Sequence, residues 1–195
     1  KSEIQIPLFQ NRNFKKSNLK LFKSYPKNNK WILQEISSKN INDYFYILKN
    51  EDILSNEIFF LADETILNEF DDKKLKNFNN FTDTSPAFRA NFKIYLNQGG
   101  FSSYQSEYPY SMVTKKGTIL SSISSIANSD ADKNYVLIKN IFEEPIEENF
   151  RAYLVNYKTK SIEEQFEIKT NYTNCIEISN KLIKPEIFLT TDKYL

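Results

Sequence analysis

The sequence predicts a mainly β protein, built as one or two antiparallel β-sandwiches of immunoglobulin-like or jelly-roll-like architecture, with a minor helix near residues 64–78. Three observations support this fold class. Apolar and polar residues alternate with period two in many short segments, turn residues separate these segments, and aromatic residues make up 15% of the 195-residue chain. Period-two alternation is the pattern of a half-buried strand, and aromatic residues are enriched in strands. Many short strands with few helices favour an antiparallel sandwich.

The N-terminal half contains several predicted strands and the best helix candidate. The strands are predicted at residues 3–9, 18–25, 31–36, 43–48 and 57–62. The helix is predicted over 64–78 because apolar residues recur there every three to five positions, after Asp63 or Thr65 as an N-cap. If the chain has two domains, the polar segment 77–86 marks their boundary. Residues 1–84 would form an N-terminal β-rich region and residues 85–195 the antiparallel sandwich domain.

The C-terminal half carries the clearest strand pattern. Strands are predicted at residues 88–96, 135–142, 149–155, 162–169, 175–179 and 186–190, with a short hairpin around Gly117. The segment 119–127 stays open between strand and helix, because isoleucines recur there at helical spacing in a serine-rich sequence. Cys175, the only cysteine, lies in an apolar alternation and is expected to be a small buried side chain.

Composition and charge argue against several classes of partner. With 26 basic and 25 acidic residues the net charge is +1, which provides no field to attract nucleic acid or an anionic membrane surface. No apolar run reaches the 18 residues of a membrane span. We expect a soluble protein, either cytoplasmic or exported with its leader removed, since the chain begins at Lys1. The Lys, Asn and Ile bias is typical of an AT-rich coding genome, so we treat the Asn-x-Thr triplets at Asn80 and Asn171 as chance.

The absence of histidine is the strongest constraint on chemistry. It removes the commonest general base, the Ser-His and Cys-His nucleophile pairs and nearly every catalytic zinc site. The sequence has no nucleotide-binding glycine motif, and the acidic turn 128–132 lacks the Gly and distal Glu of a calcium loop, which favours a plain polar turn. We therefore expect no cofactor and no metal, and the sequence favours a non-enzymatic role.

All three glycines of the chain fall between residues 85 and 127, which concentrates its freest backbone there. Hydroxyl, amide and carboxylate side chains follow Gly99 and Gly100 without an aliphatic residue among them. Tyrosine suits saccharides and extended peptides, and an arginine fork suits a carboxylate or another anionic group. The candidate ligand-binding residues are Ser102, Ser103, Tyr104, Gln105, Glu107, Tyr108, Tyr110, Arg89 and Arg151. The competing interpretation is that these tyrosines cover a sandwich edge and the arginines form structural ion pairs.

The sequence leaves three functional hypotheses open. The first is a non-catalytic binding or interaction module that recognises a neutral polar ligand, a small saccharide or a peptide, through the glycine, serine and tyrosine loop. The second is a carboxylate-dependent enzyme acting on carbohydrate, in which Glu107 and another acid lie about 5–10 Å apart across a cleft. The third is a structural or assembly subunit whose exposed aromatic strands bury against a protein partner.

Overall fold

The computed structural model of the chain describes residues 1–8, 19–37, 42–49, 51, 53–62, 64–75, 91–95, 97–99, 101–105, 119–139 and 142–192. Contacts between residues divide the chain into two units, Lys1–Tyr110 and Ser111–Leu195. The division expected at residue 84 lies outside the described residues. The strands at residues 91–95 and 101–105 belong to the first unit, whereas the sequence pattern had grouped them with the C-terminal half.

The N-terminal unit contains two antiparallel sheets and a short helix. Its described elements are β1 (Ser2–Pro7), β2 (Lys20–Lys27), β3 (Lys30–Glu35), β4 (Phe45–Lys49), β5 (Ile58–Ala62), α1 (Ile66–Glu69), β6 (Asn91–Tyr95) and β7 (Phe101–Gln105). One sheet has the strand order β4-β1-β6-β7, and the other has the order β3-β2-β5. Asn28 and Asn29 turn the chain between β2 and β3 with φ angles of 52° and 59°, a conformation that asparagine tolerates better than most residues.

The central strand β2 shows how this unit is packed. Successive side chains of a strand point to opposite faces, and both faces of β2 are buried. Leu21 packs on one side with Ile6 of β1 and Leu48 of β4, and this cluster joins the two sheets. Phe22 packs on the other side against Ile66, so α1 covers the outer face of the smaller sheet.

The minor helix predicted over residues 64–78 is present, but it covers only Ile66–Glu69. Phe70 already has an extended backbone, with φ −67° and ψ 125°. The chain then returns to β3, where the Trp31 N–H donates to the Asp72 carbonyl at 2.6 Å. A carbonyl that is bonded to β3 cannot continue a helix, so tertiary pairing overrides the apolar spacing of this segment.

The C-terminal unit is a sandwich of a four-stranded and a two-stranded antiparallel sheet. Its described elements are β8 (Ile119–Ser122), α2 (Ile123–Ile126), β9 (Asn134–Lys139), β10 (Asn149–Asn156), β11 (Ser161–Lys169), β12 (Thr173–Ile178), a 3₁₀ turn (Asn180–Leu182) and β13 (Ile187–Thr191). The larger sheet has the order β11-β10-β13-β8, and the smaller sheet pairs β12 with β9. The prediction of a mainly β, antiparallel fold is confirmed. The open segment 119–127 is a strand followed by a single helical turn.

The core of this unit lies between its two sheets. Strands of both sheets contribute alternate residues to it, and α2 closes it with one isoleucine. The buried members are Ile123, Ile138, Phe150, Ala152, Leu154, Ile168, Ile176, Ile178, Ile187 and Leu189. Because each strand buries every second residue, the remaining side chains form the two outer faces of the sandwich.

Buried asparagines hold the loops of this sandwich. Asn171 is fully buried with a φ of 50°. Its side chain accepts from the Phe142 N–H at 2.8 Å and donates to the carbonyls of Glu144 and Ile146 at 3.0 and 3.1 Å. Asn174 is also buried and bonds the backbone of its own turn at 2.8 and 2.9 Å. The Asn171 amide is engaged inside the unit, so this residue of an Asn-x-Thr triplet has a structural role.

Cys175 is exposed, which corrects the expectation that it would be buried. It lies on β12 between Asn174 and Ile176, both of which are buried, and therefore points to the outer face together with Glu177. In register it lies opposite Leu137 of β9, which is 54% exposed. The alternation of this segment was recognised, but the cysteine was assigned to the wrong face.

The strand β11 is the outermost described strand of the larger sheet and carries an acid that points inward. Glu164 lies opposite Leu154, which is fully buried, and one Glu164 carboxylate oxygen is buried without a hydrogen-bond partner among the described residues. The register shifts next to it, so that Glu163 has no partner residue on β10. Inward charges and bulges are devices by which proteins keep strand edges from pairing with other chains.

Replacing Glu164 with leucine is expected to stabilise the C-terminal unit by about 1 kcal/mol, because apolar contacts replace a buried oxygen that lacks a partner. The same change removes the inward charge, so we expect concentration-dependent association through β11. Urea unfolding and sedimentation velocity measure the two effects. Glu163→Leu is the control, because Glu163 is exposed; equal stabilisation by both variants would contradict this account.

Candidate functional site

The outer face of the larger C-terminal sheet brings aromatic and polar side chains together around β10. Phe150, Ala152 and Leu154 are buried in the core, so the alternate residues of β10 project on the opposite face. Their partners on β11 and β13 project on the same side, as antiparallel partners do. We call this surface the C-terminal sheet face; its residues are Arg151, Tyr153, Val155, Tyr157, Ile162, Gln165, Glu167, Phe188 and Thr190.

The centre and the polar end of the face offer hydrogen-bonding groups beside a tyrosine ring. Arg151 lies opposite Glu167 of β11. Two residues further along β10, Tyr153 lies between Gln165 of β11 and Thr190 of β13. The Arg151 guanidinium, the Tyr153 hydroxyl and the Gln165 amide form no hydrogen bond or ion pair with other described residues. Within that part of the chain, these groups are open to a ligand.

The apolar end of the face is formed by Val155, Ile162 and Phe188. Tyr157, in the turn after β10, is 74% exposed, and its ring lies 6.3 Å from the Phe188 ring at an interplanar angle of 60°. The turn is anchored to the strand beside it, because the Tyr157 N–H donates to the Glu186 carbonyl at 2.8 Å. An edge-to-face aromatic pair adds to this anchoring. The Tyr157 ring is thus presented to solvent on a fixed turn.

Glu186 ties the same turn to the start of β13. A hydrogen bond from its own backbone N–H, and then the charges of Lys158 and Lys184, hold the pKa of Glu186 below its usual value. Its carboxylate lies 3.5 Å from the Lys158 ammonium. Because the pKa of Glu186 is lowered in the folded chain, its ionised carboxylate stabilises the fold. This stabilisation is fully present above the pKa of the unfolded chain and is lost as the pH falls through the pKa of the folded chain.

The charges at the polar end of the face cancel. The Arg151 N–H donates to the Asp192 carboxylate at 3.0 Å, and the Asp192 N–H returns a bond to the Arg151 carbonyl at 3.1 Å. The Glu167 carboxylate accepts from the Asn149 amide at 3.1 Å. Lys169 lies at the next outward position of β11 after Glu167, and Asp192 follows β13 beside Arg151. With Arg151 and Glu167 these make two positive and two negative side chains, so the net charge of this end is zero. This balance favours a neutral ligand over a charged one.

The structure describes only some of the predicted ligand-binding residues. Residues 102–105 form most of β7, whose backbone pairs with β6 and which is the last described strand of its sheet. Arg89, Glu107, Tyr108 and Tyr110 lie outside the described residues. Arg151 lies on the C-terminal sheet face. The assignment of these residues to one ligand site therefore stays a prediction.

The sequence reasoning selected Arg151 but missed its neighbours on the face. A signal for Tyr153 was present, because it shares its position in the alternation with Arg151 and not with the buried Ala152 and Leu154. No local signal identified Phe188, which reaches the face only through the pairing of β10 with β13.

Two oxygens of the acidic turn considered as a calcium loop already accept hydrogen bonds from the protein. The Asn128 side chain accepts from the Asp130 N–H at 3.0 Å, and the Asn180 amide donates to the Ala131 carbonyl at 2.7 Å. Among the described residues, no group of three or more metal-binding side chains is placed to hold an ion. In the same part of the chain, no helix has the length and apolar character needed to span a bilayer.

The chain matched no protein-family model, no curated protein and no solved structure.

Proposed function

We propose that the chain is a non-catalytic binding module that recognises a neutral polar ligand, a saccharide or a peptide. The observation that carries the proposal is the C-terminal sheet face, where Tyr153 lies among open hydrogen-bonding groups beside an end without net charge. Such a surface suits ligands that have both C–H surfaces and hydroxyl or amide groups. The absence of histidine from the sequence supports binding over catalysis.

The rigidity of the face also supports the proposal. The strand β10 pairs with β11 on one side and with β13 on the other, so two ladders fix the backbone beneath Tyr153 and Val155. The Arg151 backbone is held by the ladder with β11 and by its bonds with Asp192. A ligand therefore meets side chains whose backbone needs no ordering. This lowers the entropic cost of association.

The glycine, serine and tyrosine loop stays in the proposal as a second contact region. Its residues 102–105 belong to β7, the last described strand of the sheet β4-β1-β6-β7. A strand at a sheet edge presents backbone N–H and C=O groups to which an extended peptide can add. Peptide recognition at β7 would therefore be separable from ligand binding at the C-terminal sheet face.

We further propose an immunoglobulin-like topology for the C-terminal unit. Counted among the described strands of the unit, the second strand β9 pairs with the fifth strand β12, and the third strand β10 pairs with the sixth strand β13. These are the pairings of strands B with E and C with F in an immunoglobulin sandwich. An experimental structure that pairs these strands differently would contradict the assignment.

Glycan and peptide arrays probed with the full chain test the proposed function. We expect the chain to bind members of one array and to lose that binding in Tyr153→Ala or in Tyr104→Ala, according to which region carries the contact. Tyr135→Ala is the matched control, because it removes a 51% exposed tyrosine from β9 in the other sheet. Binding to neither array would contradict the proposal.

An assembly role is the second candidate, and one observation favours it. The outer face of the smaller C-terminal sheet exposes more than half of Leu137 and lies next to the exposed Cys175. Adjacent exposed apolar side chains mark surfaces that bury against partners. Sedimentation velocity of the chain and of Leu137→Ser tests this role: a concentration-dependent species that the variant abolishes would favour assembly.

The carboxylate-dependent enzyme is the third candidate. It requires a second acid near Glu107, which lies outside the described residues. Release of reducing ends from a bound saccharide, lost in Glu107→Gln, would favour this activity over simple binding.

A further inference from the structure

We propose that the C-terminal sheet face binds a neutral oligosaccharide, with the Tyr153 ring stacked on one sugar and with Arg151 and Gln165 bonded to its hydroxyl groups. This inference rests on the proposed function and commits it to one ligand class and one surface.

The spacing of these three side chains fits a ring that carries polar groups around its edge. Arg151 lies two residues from Tyr153 on the same strand, which places their Cα atoms about 7 Å apart. Gln165 lies directly opposite Tyr153 on β11, at a Cβ separation of about 5 Å. A sugar stacked on the phenol ring would direct its hydroxyls sideways to both neighbours. Arginine only donates whereas the glutamine amide both donates and accepts, so both hydrogen-bonding roles of a hydroxyl are met.

The apolar end of the face extends the site beyond a single sugar. The largely exposed Tyr157 ring lies against Phe188, further along the direction of β10. It offers a second aromatic surface on the side of Tyr153 that is away from Arg151. A short chain of sugars along β10 would contact both tyrosines, so we expect oligosaccharides to bind more tightly than the monosaccharide.

Charge complementarity selects a neutral saccharide over an acidic one. Arg151 alone would attract a uronate carboxylate or a sulfate group. Glu167 lies directly opposite Arg151 in register, and the Asp192 carboxylate accepts from the Arg151 backbone N–H. An anionic group at this end would meet the Glu167 and Asp192 carboxylates as well as the Arg151 and Lys169 cations, so it would gain no net attraction. An uncharged hydroxyl group needs no such attraction to bind.

The construction of the sheet favours a saccharide over a peptide here. Peptides commonly bind by adding a strand to a sheet edge. The edge strand β11 opposes such pairing through the bulge at Glu163 and the inward carboxylate of Glu164. On the face itself, the backbone of β10 is already bonded on both sides. A ligand on this face must therefore be held by side chains alone, as the hydroxyl groups and C–H surfaces of a sugar can be.

Isothermal titration of the full chain with neutral gluco-, manno-, galacto- and xylo-oligosaccharides tests the proposal, with the matching uronates measured in parallel. We expect one neutral series to bind, with Kd about tenfold weaker for Tyr153→Ala and for Arg151→Gln, and nearly unchanged for Tyr153→Phe, which keeps the ring. Tyr135→Ala should bind like the unmodified chain. Chemical-shift changes on ligand addition should be centred on β10, β11 and β13, which locates the site without any substitution.

The outcomes separate this inference from the proposed function. Binding of a neutral series that Tyr153→Ala and Arg151→Gln both retain would overturn the inference and leave the function intact. Binding of peptides alone would do the same. Tighter binding of a uronate series would overturn the inference and also the neutral character of the ligand in the proposed function. Binding of neither saccharide nor peptide would overturn both.

Discussion

Replacing Asn171 with alanine is expected to destabilise the C-terminal unit by about 4 kcal/mol, because a buried hydrogen-bond network is lost and an alanine is forced to a positive φ. The Phe142 N–H loses its acceptor, and the carbonyls of Glu144 and Ile146 lose their donor. The φ of 50° at this position adds strain for any side chain that lacks the local bonding of asparagine. Urea unfolding measures the loss, and hydrogen exchange of the 142–178 region assigns it to this unit.

Asn171→Gly separates the two causes. Glycine adopts the positive φ without strain, so its variant should lose the hydrogen bonds alone and be less destabilised than Asn171→Ala by about 1 kcal/mol. If Asn171→Ala unfolds within 1 kcal/mol of the unmodified chain, the network does not hold the loops as described.

Replacing Leu154 with alanine is expected to lower the free energy of unfolding of the same unit by about 3 kcal/mol, since it leaves a cavity between the two sheets. Leu154 is fully buried at the centre of β10 and packs with Leu189, its partner on β13. Urea unfolding monitored by circular dichroism measures the change.

Val155→Ala is the matched control for this substitution. Val155 is the next residue of β10, is only partly buried, and lies on the C-terminal sheet face. We expect it to lose less than about 1 kcal/mol, as substitutions outside a core usually do. Equal losses for the two variants would contradict the assignment of inner and outer faces, and with it the location of the candidate site.

The strands of the C-terminal unit could be predicted closely because each has one buried and one exposed face. The predicted ranges 149–155, 162–169 and 186–190 lie within one residue of β10, β11 and β13 at each end. Alternation is a local property of the sequence, and it needs no knowledge of which strands are neighbours. The same property explains why β9 and β12 were recognised with slightly shifted ends.

Features set by contacts between distant segments could not be predicted. The helix α1 ends early because Asp72 pairs with Trp31, and no spacing of apolar residues within 64–78 encodes that bond. The prediction that Cys175 is buried was wrong for a different reason. The strand was recognised, but cysteine was treated as a hydrophobe although it shares its position in the alternation with Glu177.

The candidate site was reached only in part. Arg151 was chosen because an arginine fork suits a carboxylate or another anionic group, and it lies beside Tyr153 on an open face. Phe188 and Gln165 also belong to the face. They lie beside β10 because β13 and β11 pair with it, and these pairings cannot be deduced from the sequence. The choice of residues 102–110 rests on composition, and it awaits the Tyr104→Ala measurement.

The exposed thiol of Cys175 makes the chain convenient for direct measurement. As the sole cysteine of the sequence, on an outward position of β12, it provides one defined attachment point for a maleimide dye or for a sensor chip. The hydrophobic core separates this point from the surface around Tyr153. A chip loaded through Cys175 would therefore leave the Tyr153 side of the C-terminal unit directed away from the attachment point.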